Sequence, residues 1–282
     1  MSRFSIGIAH RNTNAHVACF EDFAEALADA LRALGHEVVG FDNPGRLILF
    51  GAGRMVDNVV VMPKDAILYN TEQVASSIGA QQFDFERHAD KVVWDYSESN
   101  IEFLRANGAK RAVHCPIGYV SSMSKIAPVE EDIDVLFYGS MNARRRNILD
   151  ALDKEGLHVE YVYGKYGAER DHYIARSKIV LNMHFYDKPV FEIFRVSHLL
   201  ANKKCVVSEG GGQDATLEAF AAKATMLVPY GSLVATCKSL LDHDGDASVA
   251  RRQIADKGFE EFKKLDLVEN VRRALEQSEV AS

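Results

Sequence analysis

The sequence predicts an α/β protein built from two Rossmann-like domains that face a central cleft. Short apolar, β-branched runs alternate with segments of helical periodicity along the chain, a pattern typical of parallel sheets covered by helices. A polar stretch, 121–132, interrupts this pattern and contains Pro128 and three consecutive acidic residues. The chain has 282 residues, the length of two modest domains.

The first half contains the elements of one such domain. Apolar residues recur at helical spacing from Phe20 to Leu34, and Gly35 is expected to end that helix. A second helix is predicted at 99–106, before Gly108. Apolar runs predict strands at 4–8, 37–41, 59–62, 66–69, 91–95 and 111–115.

The second half repeats the alternation and then becomes helical and charged from residue 232 onward. Strands are predicted at 133–138, 158–163, 179–183, 205–208 and 226–228. Helices are predicted at 143–154, 169–176 and 189–202, the last with Pro189 in its first turn. We therefore predict an acceptor-side domain at 1–130, a donor-side domain at 131–258 and a helical tail at 259–282.

Composition excludes several classes of function. The net charge of −7 disfavours binding to bulk nucleic acid, because an acidic surface repels the phosphate backbone. No apolar stretch approaches the roughly 18 residues that cross a bilayer, so no membrane span is predicted. The cysteines are far apart in the sequence, which suits a reducing compartment and leads us to expect a cytoplasmic protein. They are Cys19, Cys115, Cys205 and Cys237.

The most informative local feature is the segment VLFYGSMNARRR, residues 135–146. A buried strand is expected to run into Gly139 and Ser140, and a helix is expected to open near Asn142. Cations in the first turn of a helix oppose its dipole, which is understandable if an anion binds there. The first turn carries Arg144, Arg145 and Arg146. The segment therefore predicts a diphosphate site, and a solvated basic turn is the alternative.

Two further segments are candidates for the same site. Glu192 and Arg195 are three positions apart and share a helix face, so the carboxylate can bind a ribose diol while the arginine reaches a phosphate. An ordinary surface ion pair is the alternative. The glycines at 210–212, and Gly211 and Gly212 in particular, allow a backbone to approach a ligand closely. A flexible turn is the alternative there.

From Asp134 to Glu209 the sequence resembles the C-terminal domain of GT-B glycosyltransferases, and especially the CgeB-type and family 1/4-like proteins. The matching pieces are DVLFYGS with the arginines after it, IVLNMHF, which ends near His184, and FEIFRVSHLLANKKCVVSE. The resemblance implies that the C-terminal domain binds a nucleotide-sugar, a UDP- or GDP-sugar, as co-substrate, with no other cofactor. The N-terminal domain would bind an acceptor, which the sequence does not identify. Val190 and His198 stand where many retaining members have glutamates, so retention and inversion both stay open.

Catalysis by an inverting transferase needs a base near the acceptor hydroxyl. His16 and His10 follow the first strand, and histidine titrates near neutral pH. Glu72, which follows the strand at 66–69, is a third candidate if burial raises its pKa. The DHDGD run at 242–246 has too few ligand positions for a calcium loop, so no metal site is predicted.

Glycosyl transfer is the main functional prediction. Two alternatives remain, a non-catalytic two-lobed protein that binds a nucleotide or a sugar, and a nucleotide-sugar epimerase of the same architecture.

Overall fold

The computed structural model describes the residues 1–9, 15–41, 43–51, 62–75, 89–186, 189–242 and 246–280. The chain divides into two compact units. The first consists mainly of Met1–Ser122 and Leu265–Ser282, and the second of Met123–Phe185 and Pro189–Lys264. None of the helices in the described ranges is long and apolar enough to cross a membrane.

The elements alternate between strand and helix over most of the chain. The strands are β1 (Arg3–Ile8), β2 (Glu37–Val39), β3 (Arg46–Phe50), β4 (Ile67–Asn70), β5 (Val92–Asp95), β6 (Ala112–His114), β7 (Ile133–Tyr138), β8 (Val159–Val162), β9 (Ser177–Asn182), β10 (Val206–Glu209) and β11 (Met226–Val228). The described α-helices are α1 (Glu21–Ala33), α2 (Glu98–Ala106), α3 (Ala143–Lys154), α4 (Gly167–Arg176), α5 (Ile193–Ala201), α6 (Ala215–Ala224), α7 (Leu233–Leu241), α8 (Ala247–Lys263) and α9 (Leu267–Val280).

The first unit contains a parallel sheet with the strand order β2-β1-β3-β4-β5-β6. Its central strands β4 and β5 are buried along their whole length, as expected when helices cover both faces of a sheet. The C-terminal helix α9 belongs to this unit. Trp94 Nε1 donates a hydrogen bond to Ser278 Oγ at 2.9 Å, and Asn270 Nδ2 donates to the carbonyl of Pro116 at 3.0 Å.

The second unit contains a parallel sheet with the order β11-β10-β9-β7-β8. Valine, isoleucine, leucine and phenylalanine side chains of β7, β9 and β10 form its core together with apolar residues of α3 and α7. The chain leaves β7 toward β8 on one side and later returns to β9 on the other side. The order therefore reverses between β7 and β9, and such a switch point leaves a ligand-binding crevice at the carboxyl ends of the strands.

Most of the predicted elements are present, with shifts of one to three residues at their ends. Gly35, in the left-handed region with φ of 80°, follows the end of α1 as predicted. The predicted helix 189–202 begins only at Ile193, so Pro189 lies before it and not in its first turn. The strand expected at 37–41 ends at Val39. The strand expected at 59–62 lies outside the described residues except for Met62, which is not in a strand.

Two elements are additions to the prediction. Strand β3 follows Pro44 and Gly45 and is buried over four of its five residues. Helix α6 follows the glycine run and is capped by Asp214, whose side chain accepts a hydrogen bond from the N–H of Leu217 at 2.9 Å. The division of the chain also differs from the predicted one, because helix α9, expected in a separate tail, is part of the first unit.

Candidate functional site

The candidate site lies in the second unit at the carboxyl ends of β7, β9 and β10. The turn from β7 to α3 begins at Gly139, whose φ is 128°. A Cβ added at this glycine would lie 2.7 Å from Nη2 of Arg195, so a side chain at position 139 would displace the arginine. The turn thus depends on glycine both for its backbone conformation and for the close approach of a cation.

Helix α3 opens where the sequence predicts it. Asn142 is the N-cap, and its side chain accepts a hydrogen bond from the N–H of Arg145 at 2.9 Å. The first four N–H groups of a helix have no partner within the helix, and Asn142 satisfies one of them. No acidic residue occupies the first turn of α3. The positive end of this helix therefore lies next to the end of β7, with no acidic side chain in its first turn to offset it.

Arg145 is a buried structural residue and is 2% exposed. Its Nη1 donates a hydrogen bond to the carbonyl of Ser140 at 2.7 Å, and its Nη2 donates to the carbonyl of Met183. Burial, followed by the charge of Arg195, lowers the pKa of Arg145 to about 9, so the guanidinium stays charged at neutral pH. Arg145 joins the end of β7 to the end of β9 through two carbonyl groups. These bonds occupy donors that the sequence-based prediction assigned to a diphosphate.

Arg144 faces a carboxylate at the end of β10. Both of its terminal nitrogens donate to Glu209, with Nη1 at 2.5 Å from Oε2. Its guanidinium carbon lies 3.9 Å from the centre of the Tyr230 ring, and the Tyr230 hydroxyl donates to the carbonyl of Arg144 at 2.8 Å. The hydrogen bonds to Glu209 raise the pKa of Arg144, while burial opposes the effect. Arg146, one position further along α3, is exposed.

His184 and Glu192 form a buried pair next to these arginines. Nδ1 of His184 lies 3.2 and 3.1 Å from the two carboxylate oxygens of Glu192, and the N–H of His184 donates to Glu209 Oε2 at 3.0 Å. Burial by itself lowers the pKa of His184, but the hydrogen bond to Glu192 and the negative charges of Glu192, Glu209 and Glu218 raise it above its ordinary value.

Glu192 is the N-cap of α5 and keeps its negative charge in spite of burial. Burial by itself raises the pKa of Glu192, but the hydrogen bond and charge of His184, the charge of Arg195 and a hydrogen bond from Asn182 lower it below its ordinary value. The Asn182 amide donates to Glu192 Oε2 at 3.0 Å, while its carbonyl oxygen accepts from Arg195 Nη1 at 2.9 Å. One buried asparagine thus orients both members of the predicted Glu192 and Arg195 pair.

The glycine loop after β10 approaches α6. Gly211 has φ of 105°, and its N–H donates to Glu218 Oε2 at 3.2 Å. A Cβ added at Gly212 would lie 2.5 Å from Glu218 Oε1. Because residue 212 has no side chain, the carboxylate oxygen of Glu218 can occupy this space.

The structure thus brings every predicted donor-site residue to the same strand ends: Gly139, Ser140, Asn142, Arg144, Arg145, His184, Glu192, Arg195, Gly211 and Gly212. Sequence reasoning missed Asn182, Glu209, Glu218 and Tyr230. Asn182 and Glu209 could have been found from the sequence, since each is a polar residue at the end of a buried strand. The roles of Glu218 and Tyr230 depend on tertiary contacts with Gly211 and Arg144, which no local pattern displays.

The predicted bases belong to the first unit. His16 is exposed and lies in a short 3-10 segment, Ala15–Phe20, before α1. His10 lies outside the described residues. Glu72 follows β4, and its backbone is held at three points: its N–H donates to Asn70 Oδ1 at 3.1 Å, and its carbonyl accepts from the amides of Asn70 and Asn100 at 2.9 and 3.0 Å.

The sequence is similar to uncharacterized proteins of Acanthamoeba polyphaga mimivirus. One is 27% identical over 239 residues, which cover 79% of this chain and 76% of that protein. A second is 31% identical over 252 residues, which cover 78% of this chain but only 28% of the longer viral protein. No protein-family model matches the chain. These relatives carry no described function.

Solved structures with a similar fold are glycosyltransferases. HepE of Anabaena, in complex with UDP and glucose, has a TM-score of 0.60 at 12% identity and covers 99% of this chain and 100% of its own. WaaG, a glycosyltransferase involved in lipopolysaccharide biosynthesis, has a TM-score of 0.57 at 10% identity, with 100% of both chains covered. The DNA-modifying β-glucosyltransferase has a TM-score of 0.53 at 12% identity, with 99% and 98% covered.

At these low identities the likeness shows the fold alone. The two parallel sheets and their surrounding helices match those of the neighbours, so the chain has the GT-B glycosyltransferase fold. The predicted fold class is confirmed in this respect.

Proposed function

We propose that the protein is a glycosyltransferase and that its second unit binds a nucleotide-sugar donor, a UDP- or GDP-sugar. The observation that carries this proposal is the convergence of cations at the switch point of the second sheet. Arg144, Arg145 and Arg195 meet there beside the N-terminus of α3, within the network that links them to Glu192 and Glu209. A diphosphate is the natural ligand of guanidinium groups combined with a helix N-terminus.

Arg144 is the proposed diphosphate contact. Its side chain is 39% exposed, whereas that of Arg145 is 2% exposed. Its planar guanidinium already binds the two oxygens of Glu209, a geometry that two phosphate oxygens can reproduce. Glu209 thus holds the arginine in orientation, and a donor phosphate competes with it for the same nitrogens.

The proposed reaction exchanges one bond for another at the anomeric carbon. The bond from that carbon to the diphosphate oxygen breaks, and a bond to the acceptor hydroxyl oxygen forms. The diphosphate leaves with additional negative charge, which fixed arginines and the α3 N-terminus would stabilise without a metal ion. His16 is our first choice as the base that takes the acceptor proton, and His10 and Glu72 are alternatives.

The test compares Arg144→Ala with Arg146→Ala. UDP and GDP, with UDP-glucose and GDP-mannose, are titrated calorimetrically into the wild-type protein and both variants. We expect Arg144→Ala to weaken diphosphate binding about tenfold to a hundredfold, since hydrogen bonds between charged groups contribute roughly 1.5–3 kcal/mol. UDP is the first nucleotide to test, because HepE and β-glucosyltransferase have structures with UDP or UDP-glucose.

Arg146→Ala is the matched control, since it removes an exposed arginine from the same helical turn. Equal affinities in the two variants would place the diphosphate elsewhere. Slow release of free sugar from the bound donor would support a transferase and oppose a protein that only binds. Conversion of the donor to an isomeric nucleotide-sugar would instead support an epimerase.

A further inference from the structure

Three buried polar atoms at the strand ends of the second unit have no hydrogen-bond partner among the described residues. They are Nε2 of His184, Oε1 of Glu218 and Nε of Arg145, whose two Nη atoms donate to main-chain carbonyls. A buried polar atom without a partner costs about 1–3 kcal/mol, and most such atoms in proteins are paired. The atoms of His184 and Glu218, which belong to two different side chains, point to a ligand that completes their pairing.

The His184 ring is held in one orientation. Its side chain is 4% exposed, and its Nδ1 is engaged by Glu192, which fixes the direction in which Nε2 points. Since Nδ1 faces a carboxylate, it carries a proton. When the imidazole is protonated, Nε2 is a second donor.

Glu218 approaches the same loop from α6. Its Oε2 accepts a hydrogen bond from Gly211, and its Oε1 lies where a side chain at Gly212 would have to go. The loop joins β10 to α6, and the N–H of His184 is bonded to Glu209, the last residue of β10. Hydrogen bonds thus connect His184 to the end of β10 and Glu218 to the loop that follows it.

The two atoms require a ligand with complementary groups. A protonated imidazole donates at Nε2, while a carboxylate oxygen accepts. A fully ionised phosphate accepts but does not donate, and an ammonium group donates but does not accept. A hydroxyl does both and has the size to bridge two side chains.

We infer that His184 and Glu218 form the subsite for one hydroxyl of the donor's sugar, with His184 Nε2–H donating to the hydroxyl oxygen and the hydroxyl donating to Glu218 Oε1. This inference rests on the proposed function, because it assumes that a nucleotide-sugar occupies the second unit. It makes Glu218 a specificity-determining residue that selects donors with a hydroxyl at one ring position. Sugars that lack this hydroxyl leave both buried atoms unpaired and should bind poorly.

The experiment measures the ratio of two dissociation constants, that of UDP divided by that of UDP-glucose, or of the GDP and GDP-mannose pair if guanine binds better. Glu218→Ala should weaken the nucleotide-sugar about tenfold or more and change the affinity for the nucleoside diphosphate less than twofold. Glu260→Ala, which removes an exposed carboxylate from the same unit, should leave both constants unchanged.

A second measurement combines donor analogues with the same variant. Monodeoxy analogues of the bound nucleotide-sugar are titrated into the wild-type protein, and one analogue should lose as much affinity as Glu218→Ala loses for the complete donor. That analogue should bind equally to the wild-type protein and to Glu218→Ala.

The possible failures are distinguishable. If Glu218→Ala lost equal affinity for UDP and for UDP-glucose, Glu218 would only support the glycine loop. The inference would then be wrong, but the proposed donor site would not be contradicted. The inference would also be wrong if all monodeoxy analogues bound like the complete donor, since the two atoms would then hold only water. If no nucleoside diphosphate binds the wild-type protein, the proposed function fails and the inference fails with it.

Discussion

The two sheets have related strand orders but hold their strand-end carboxylates in different ways. In the first unit, Asp95 ends β5 and is fully buried. Three uncharged groups donate to its carboxylate: the amides of Asn70 and Asn100 at 2.5 and 3.1 Å, and the N–H of Ser97 at 2.8 Å.

In the second unit, Glu192 and Glu209 are paired with cations. Glu209 receives both terminal nitrogens of Arg144, and Glu192 binds His184 and lies 4.0 Å from Arg145. Amides can hold a carboxylate without adding charge, whereas guanidinium groups can exchange it for another anion. The difference is one of charge: cations contact the carboxylates of Glu192 and Glu209 in the second unit, whereas three uncharged groups donate to Asp95 in the first.

The largest expected effect concerns the buried cation of the second unit. Arg145→Ala removes the donors to Ser140 and Met183 and one of the cations near Glu192, which keeps His184 and Arg195. Breaking a buried charged network of this kind costs about 3–5 kcal/mol. We expect a loss of that size in the free energy of unfolding, measured by urea titration.

Arg146→Ala is the comparison for this variant, because it removes the same side chain from the exposed face of α3. Surface substitutions usually change stability by less than about 0.5 kcal/mol. A similar loss in both variants would show that helix propensity, and not the carbonyl contacts, determines the effect.

A smaller effect is expected at Asp95 in the first unit. Asp95→Ala leaves the amide groups of Asn70 and Asn100 and the N–H of Ser97 short of an acceptor, at a cost of roughly 1–3 kcal/mol. The loss should be smaller than that of Arg145→Ala because these three donors are uncharged. Glu102→Ala, at an exposed position of α2 in the same unit, is the control for urea unfolding. If Asp95→Ala lowered the free energy of unfolding more than Arg145→Ala does, the expected difference between the two units would be wrong.

The sequence predicts the fold well because the informative signals are local. The strand that ends at Tyr138, the glycine after it and the Asn142 cap follow one another along the chain, so their order alone specifies a strand, a turn and a helix. The pattern places the start of α5 too early because proline often begins a helix, whereas Pro189 here precedes it by four positions.

The different surroundings of the three arginines of α3 could not be predicted from the sequence. Successive residues of a helix point about 100° apart, so Arg144, Arg145 and Arg146 must face different surroundings. Only the packed structure shows that the middle one is buried and the last is exposed. The contact of Glu218 with Gly211 likewise depends on how α6 packs, and the sequence-based prediction did not include α6.

The smallest expected effect is the pH dependence of the His184 and Glu192 pair. His184 has a raised pKa in the folded protein, so its stabilisation is complete below its unfolded value of 6.5 and is lost as the pH rises through the folded value. Glu192 has a lowered pKa, so its contribution is complete above its unfolded value of 4.5 and is lost as the pH falls through the folded value. Both contributions are therefore complete between pH 4.5 and 6.5.

His184→Asn tests this window, because an asparagine amide can replace the Nδ1 donor to Glu192 but cannot become charged. The groups whose charges act on the imidazole are Glu192, Glu209 and Glu218, and all of them stay in the variant. The difference in thermal unfolding midpoint between wild type and variant should be largest between pH 4.5 and 6.5 and should decrease toward pH 9. A difference that is constant across this range would mean that His184 stays neutral. The proposed sugar hydroxyl would then lack the donor that it needs at Nε2, and the cationic character of the second unit would depend on its arginines alone.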